Sequence, residues 1–110
     1  MNEQDNPLFG MKEENINKAS KALKAMGHPL RLKILCVIGE QELPVMDIVK
    51  KVGTTQSNIS QHIDILREKD IITSRREGSK ILCKVRDHNI LHLMNAMQQT
   101  FCPLDTNSKD

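Results

Sequence analysis

Three sets of side chains in this sequence are equipped for chemistry: a polar run, a basic turn, and a few thiols and imidazoles. The run Thr55-Gln56-Ser57-Asn58-Ile59-Ser60-Gln61-His62 gathers short uncharged donors and acceptors around one apolar residue. Such groups at a helix N-terminus match the base edges of a DNA major groove, and the helix end itself favours a phosphate. With Ile59 inward, Ser57 and Gln61 point outward and Asn58 and Ser60 flank them. Taken alone, the run reads equally well as a solvated polar face. Arg75, Arg76 and Lys80 surround the turn Glu77-Gly78-Ser79, a tip of the right size and charge to reach a minor groove or a phosphate backbone. Its plain alternative is a solubilising turn. The three cysteines are Cys36, Cys83 and Cys102, and cysteine is commonly a small buried hydrophobe rather than a reactive group. His88 and His92 stand at i, i+4, a spacing able to hold a metal ion in principle but also ordinary for a surface or interface pair. His28 and His62 have no ligand partner at motif spacing and read as structural, or for His62 as lying near a DNA backbone.

Other chemistries are excluded by what the sequence omits. It has no nucleophile elbow, no phosphate-cradling glycine loop and no paired carboxylates, so an enzyme is not expected. No cofactor is implied. Phe9 and Phe101 are the only aromatics, 2% of the chain, too few for a base-stacking platform and a sign of an aliphatic, methionine-rich core. The formal net charge is only +2, but its distribution is uneven. Acids collect at Glu3, Asp5, Glu13, Glu14, Asp105 and Asp110, whereas Arg75, Arg76, Lys80, Lys84 and Arg86 face Glu77 alone between Ile71 and Arg86. A local basic stripe attracts phosphates even on a nearly neutral protein. The N-terminus is polar with no signal-peptide pattern, and no apolar run approaches the roughly 18 residues of a membrane span. The expectation is a cytoplasmic protein, without a membrane partner, whose thiols start out reduced.

The elements that must position these groups follow from periodicity. The 110 residues are the size of one domain. Residues 1–12 read as a disordered lead-in, 13–102 as the folded domain and 103–110 as a flexible tail. Ile16, Ala19, Leu23 and Met26 recur at helical spacing. Gly27-His28-Pro29 ends that helix and starts a second, since a first-turn proline loses no needed N–H. Pro44 opens a short third helix, Gly53 supplies a left-handed end, and Thr54 or Thr55 caps a fourth helix with Ile59, Ile63 and Leu66 inward. Two β-rich runs around Glu77-Gly78-Ser79 form a hairpin. A last helix starts near Asp87, carries apolar residues on several faces and therefore needs cover on more than one side. The order ααααββα, mainly α with a β-hairpin wing, is that of a winged helix-turn-helix.

The stretches HPLRLKIL (His28–Leu35), TQSNISQHIDILREKDII (Thr55–Ile72) and RREGSKILCKV (Arg75–Val85) resemble the ArsR/SmtB family of bacterial repressors over about residues 16–102. The resemblance implies a homodimer joined through the first and last helices, bound to a double-stranded operator until an inducer acts. Position by position, it makes Gln56, Ser57, Asn58, Ser60 and Gln61 the DNA-facing residues, with Thr55 at the helix start, and Arg75, Arg76 and Lys80 the wing. Displacement of another DNA-binding protein would instead make the same contacts activate transcription.

The family's metal sites match poorly. Where arsenic and cadmium sensors carry Cys-Val-Cys, this chain has Glu42-Leu43-Pro44-Val45-Met46-Asp47; where zinc sensors carry ligands on the last helix, only Asp87 survives beside Asn89, Gln99 and Cys102. Tetrahedral zinc needs about four N, S or O ligands. Leu-Lys-Ile-Leu-Cys and Thr-Phe-Cys look instead like the branch whose two cysteines sense persulfides or oxidants by joining through a disulfide or polysulfide bridge. That likeness implies Cys36 and Cys102 as the sensor, reactive sulfur or an oxidant as inducer, and Arg31, Lys33 or the last-helix histidines as groups that would lower a thiol pKa. Cys83 reads as a packing residue in the second wing strand. A metal-responsive repressor is the alternative.

Overall fold

A computed structural model describes residues 10–102; positions 1–9 of the expected lead-in and the whole expected tail, 103–110, lie outside it. The elements are α1 (Glu13–Met26), α2 (Pro29–Ile38), β1 (Glu42–Pro44), α3 (Val45–Val52), α4 (Gln56–Glu68), β2 (Ile72–Glu77), β3 (Lys80–Val85) and α5 (His88–Phe101). The winged helix-turn-helix order is as expected, with one addition. β1 joins the hairpin, giving an antiparallel sheet of order β1-β3-β2. Three residues are too few for a period-two pattern to be legible, and Pro44 is tolerated because β1 is an edge strand that need not donate every ladder hydrogen bond. Pro44 itself is extended (φ −62°, ψ 145°) and stands just before α3, which starts at Val45 with no side-chain capping hydrogen bond.

Each helix boundary has a local cause. His28 precedes α2, its Nδ1 accepting the Leu30 N–H at 3.1 Å with Pro29 in the first turn. Gly53 ends α3 at φ 85°, where a Cβ would be strained. The turn continues into α4, capped by Thr55 Oγ1, which accepts the Asn58 N–H at 3.2 Å. Asp87 Oδ1 caps α5 by accepting the Asn89 N–H at 2.8 Å.

The fully buried side chains are Ile34, Leu35 and Ile38 of α2, Ile48 of α3, Ile59 and Leu66 of α4, Ile71 before β2, Ile72 of β2 and Cys83 of β3. They form one aliphatic cluster under the helix-turn-helix and the sheet, each isoleucine or leucine contributing roughly 1.5–3 kcal/mol of transfer free energy. Isoleucine fills this core rather than methionine: among the described methionines only Met26 and Met94 are buried. α1 and α5 lie at its margin. Met94 is the one buried residue of α5, while Ile16, Leu23, Leu93 and Phe101 are large apolar side chains left exposed.

Candidate functional site

α4 presents its N-terminal turns outward. Gln56, Ser57 and Gln61 are exposed, Asn58 and Ser60 are half-buried flanks, and Ile59 and Ile63 anchor the helix beneath them. The sequence-predicted reading residues do share a face, but two are engaged locally. The Thr55 hydroxyl oxygen serves as the helix cap, and the Asn58 amide donates to Thr54 Oγ1 at 3.3 Å. Gln56, Ser57 and Gln61, with Ser60 at the edge, are left facing outward. Farther along α4, Arg67 donates to Asp64 and, at 2.6 Å, to Ser74 Oγ of β2. That contact ties the C-terminal half of α4 to β2.

On the wing, Arg75 is held rather than offered. Its Nε and Nη2 donate to the two carboxylate oxygens of Glu42 at 2.9 and 2.8 Å, and its Nη1 to Glu77 at 3.3 Å. The Glu42 hydrogen bond, seconded by Glu77, holds the guanidinium still more firmly charged, and the Arg75 hydrogen bond holds the Glu42 carboxyl below its usual range. Arg75 lies opposite Leu82 on β3 and reaches Glu42, which pairs with Lys84, so the bridge crosses the middle strand. Arg76 and Lys80 are exposed, and among the described residues neither enters an ion pair. Nothing local in the sequence signals a partner for Glu42 33 residues away; only sheet register brings the two together.

Cys36 on α2 and Cys102 after α5 are both exposed, and both line one cavity of about 740 Å³ together with His88, His92, Leu91 and Met97. The Cys36 thiol is pushed up, first by burial and then by the nearby Cys102. The expected lowering by Arg31 or Lys33 does not occur there, because both cations are turned elsewhere: Arg31 donates to the Ala25 carbonyl and Lys33 to the Val52 carbonyl. Cys83 is fully buried in β3, as a packing residue should be, and burial raises its thiol too. His88 and His92 share the thiol cavity, but no three His, Cys, Asp or Glu side chains among the described residues gather as a metal site requires. His62 turns to the inner flank of α4, where Arg31 Nη1 meets its Nδ1 at 3.2 Å.

Residues 28–74, from the cap of α2 into β2, match the family described as bacterial regulatory protein, arsR family. The biofilm growth-associated repressor of Xylella fastidiosa is 31% identical over 90 residues, covering 82% of this chain and 79% of that protein. The chain belongs to the ArsR family. Among solved structures, this ArsR-family chain is similar to HlyU from Vibrio cholerae, with a TM-score of 0.77 and 28% identity over 83% of this chain and 99% of that one. A second structure of that protein, described as reduced HlyU, has a TM-score of 0.75 at 29% identity, covering 82% and 95%. The fold also matches the homodimeric winged helix-turn-helix DNA-binding domain Mb0332 of Mycobacterium bovis, TM-score 0.74 and 20% identity over 83% and 87%. The ArsR-family chain is thus a transcriptional regulator of the winged helix-turn-helix type and not an enzyme. No helix among the described residues is long and apolar enough to cross a membrane.

Proposed function

We propose that this regulator is a cytosolic homodimeric repressor that reads an operator through Gln56, Ser57, Ser60 and Gln61, with Arg76 and Lys80 on the backbone, and releases it when Cys36 and Cys102 react. The observation that carries the thiol reading is their placement on one cavity between α2 and α5. A cytosolic dithiol is normally reduced, so a bridge is a signal rather than a staple. The Cys36 thiolate attacks the outer sulfur of an organic persulfide, RSSH; a thiol RSH leaves and Cys36 becomes a persulfide. The Cys102 thiolate then attacks the inner sulfur, forming the Cys36–Cys102 disulfide and releasing hydrogen sulfide. The persulfide is the oxidant, and two protein thiols are oxidised. A bridge between α2 and α5 shifts the helix through which the dimer is joined, and with it the separation of two reading heads that must lie about 34 Å apart.

The test is operator affinity of the reduced protein before and after a persulfide donor, with intact mass followed in the same samples. Binding should fall as the two thiols become linked, and neither Cys36→Ser nor Cys102→Ser should respond. Unchanged binding after complete linkage would refute the mechanism. A zinc titration runs beside it: loss of binding with zinc alone would move attention to His88 and His92. The relative HlyU is named a transcriptional activator, which favours a second reading in which the same DNA contacts displace another DNA-binding protein. A reporter driven by the chain's own target promoter distinguishes the two by the sign of its response.

A further inference from the structure

Arg31 is bound on two sides by groups the DNA-reading face does not contain. Its Nε donates to the carbonyl of Ala25 at 2.6 Å, and its Nη1 meets His62 Nδ1 at 3.2 Å. Ala25 lies in the last turn of α1, where carbonyl oxygens have no helical partner and the helix end carries partial negative charge. His62 lies on α4, one residue after Gln61. The His28 ring, already fixed as the cap of α2, sits against the His62 ring with centroids 4.7 Å apart. One guanidinium on α2 therefore joins the end of α1 to the middle of the reading helix.

We propose that Arg31 is a positioning residue that locks the pitch of α4 for DNA reading, and that the lock closes only while His62 is neutral. The inference rests on α4 being the DNA-reading helix. Neutral His62 carries its proton on Nε2, so Nδ1 accepts from Arg31. A second proton would turn Nδ1 into a donor aimed at a donor and set an imidazolium beside a guanidinium. The titratable and charged groups acting on His62 are Arg31 of α2 and His28 at its cap; α1 contributes the Ala25 carbonyl through Arg31. Burial first, then His28 and Arg31, hold the His62 ring below its usual 6.5. As pH falls, the unfolded chain takes that proton before the folded one does. The lock is therefore intact above the ordinary histidine range and is lost on its acid side.

The test is fluorescence anisotropy with a labelled duplex that the reduced protein has itself selected from a random-sequence pool. Between about pH 7.5 and about pH 5.5 affinity should weaken steadily, by less than about tenfold over that window because the ring is held below 6.5. His62→Gln keeps an acceptor oxygen without a titrating ring at this position, and its profile should be clearly shallower than the wild type's. Arg31→Lys keeps the charge without the fork and should bind weakly at every pH. Tighter binding on acidification would overturn the proposal, since that is the sign expected of a histidine facing a phosphate. So would an unchanged pH slope in His62→Gln, or full rescue by Arg31→Lys. Hydrogen-exchange protection along α4 reads the lock without DNA: it should drop as His62 protonates in the wild type and stay constant in His62→Gln. Were no duplex selected at the higher pH, the reading-face assignment would fall, and the α4 protection factors would still decide the lock.

Discussion

Cys36 and Cys83 are both thiols with raised pKa, but for reasons that give them different chemistry. Cys36 is exposed, and its thiolate is opposed by partial burial and then by Cys102. Its alkylation should therefore be slow near neutral pH and climb as pH rises, because only the thiolate attacks. Cys102→Ser removes one of the two causes, so Cys36 should become more reactive at fixed pH, by less than about tenfold, the equivalent of one pKa unit. Competitive labelling read by mass spectrometry checks this, and an unchanged or slower rate would remove Cys102 as a cause. Cys83 should resist the same reagent in the folded protein. Cys83→Ser would place a hydroxyl in the aliphatic core and cost about 1–3 kcal/mol if it finds no partner, measurable by urea unfolding.

The wing is decided by how its strands are strapped. Glu42 of β1 grips Arg75 of β2 across β3, so one of the three expected wing charges is already paired within the protein. Arg75→Ala should leave the salt dependence of DNA binding nearly unchanged. Arg76→Ala should instead reduce the slope of log affinity against log salt by about two, one phosphate contact from each subunit of the dimer. Glu42→Gln weakens the strap and lets Arg75 turn to the backbone in each subunit, which should steepen the slope by about two and raise affinity for duplexes of any sequence. If Arg75→Ala flattened the slope as much as Arg76→Ala, the strap would have to open on DNA.

At the scale of the whole molecule, α1 and α5 form an unfinished surface. A groove of about 580 Å³ is lined by Ala22, Leu23, Met26, Ile90 and Leu93 among others. Ile16, Leu23 and Leu93 are 49%, 53% and 46% exposed, and contiguous exposed apolar surface of this kind marks interaction faces. In the proposed homodimer, a second copy of the chain covers this face. Leu23→Glu should shift sedimentation equilibrium toward monomer and weaken operator binding by about a hundredfold or more, since two tethered half-site contacts become independent. A variant that stays dimeric would place the interface elsewhere.

Local pattern in the sequence determined the helices, the hairpin and the outward run on α4, because periodicity, Pro29, Gly53 and the Thr55 and Asp87 caps act within a few residues of themselves. It also marked Cys83 as a packing residue. Tertiary structure alone decided which groups are free to act. Strand β1 exists because β3 offers it an edge, and with it Glu42 captures Arg75. Arg31 is drawn to His62, 31 residues away, and Lys33 to the Val52 carbonyl, so neither lowers the Cys36 thiol. The placement of Cys36 and Cys102 on one cavity likewise depends on where the fold sets α5 relative to α2. Such pairings depend on strand register and on helix packing between residues far apart in the chain, and no local pattern encodes either.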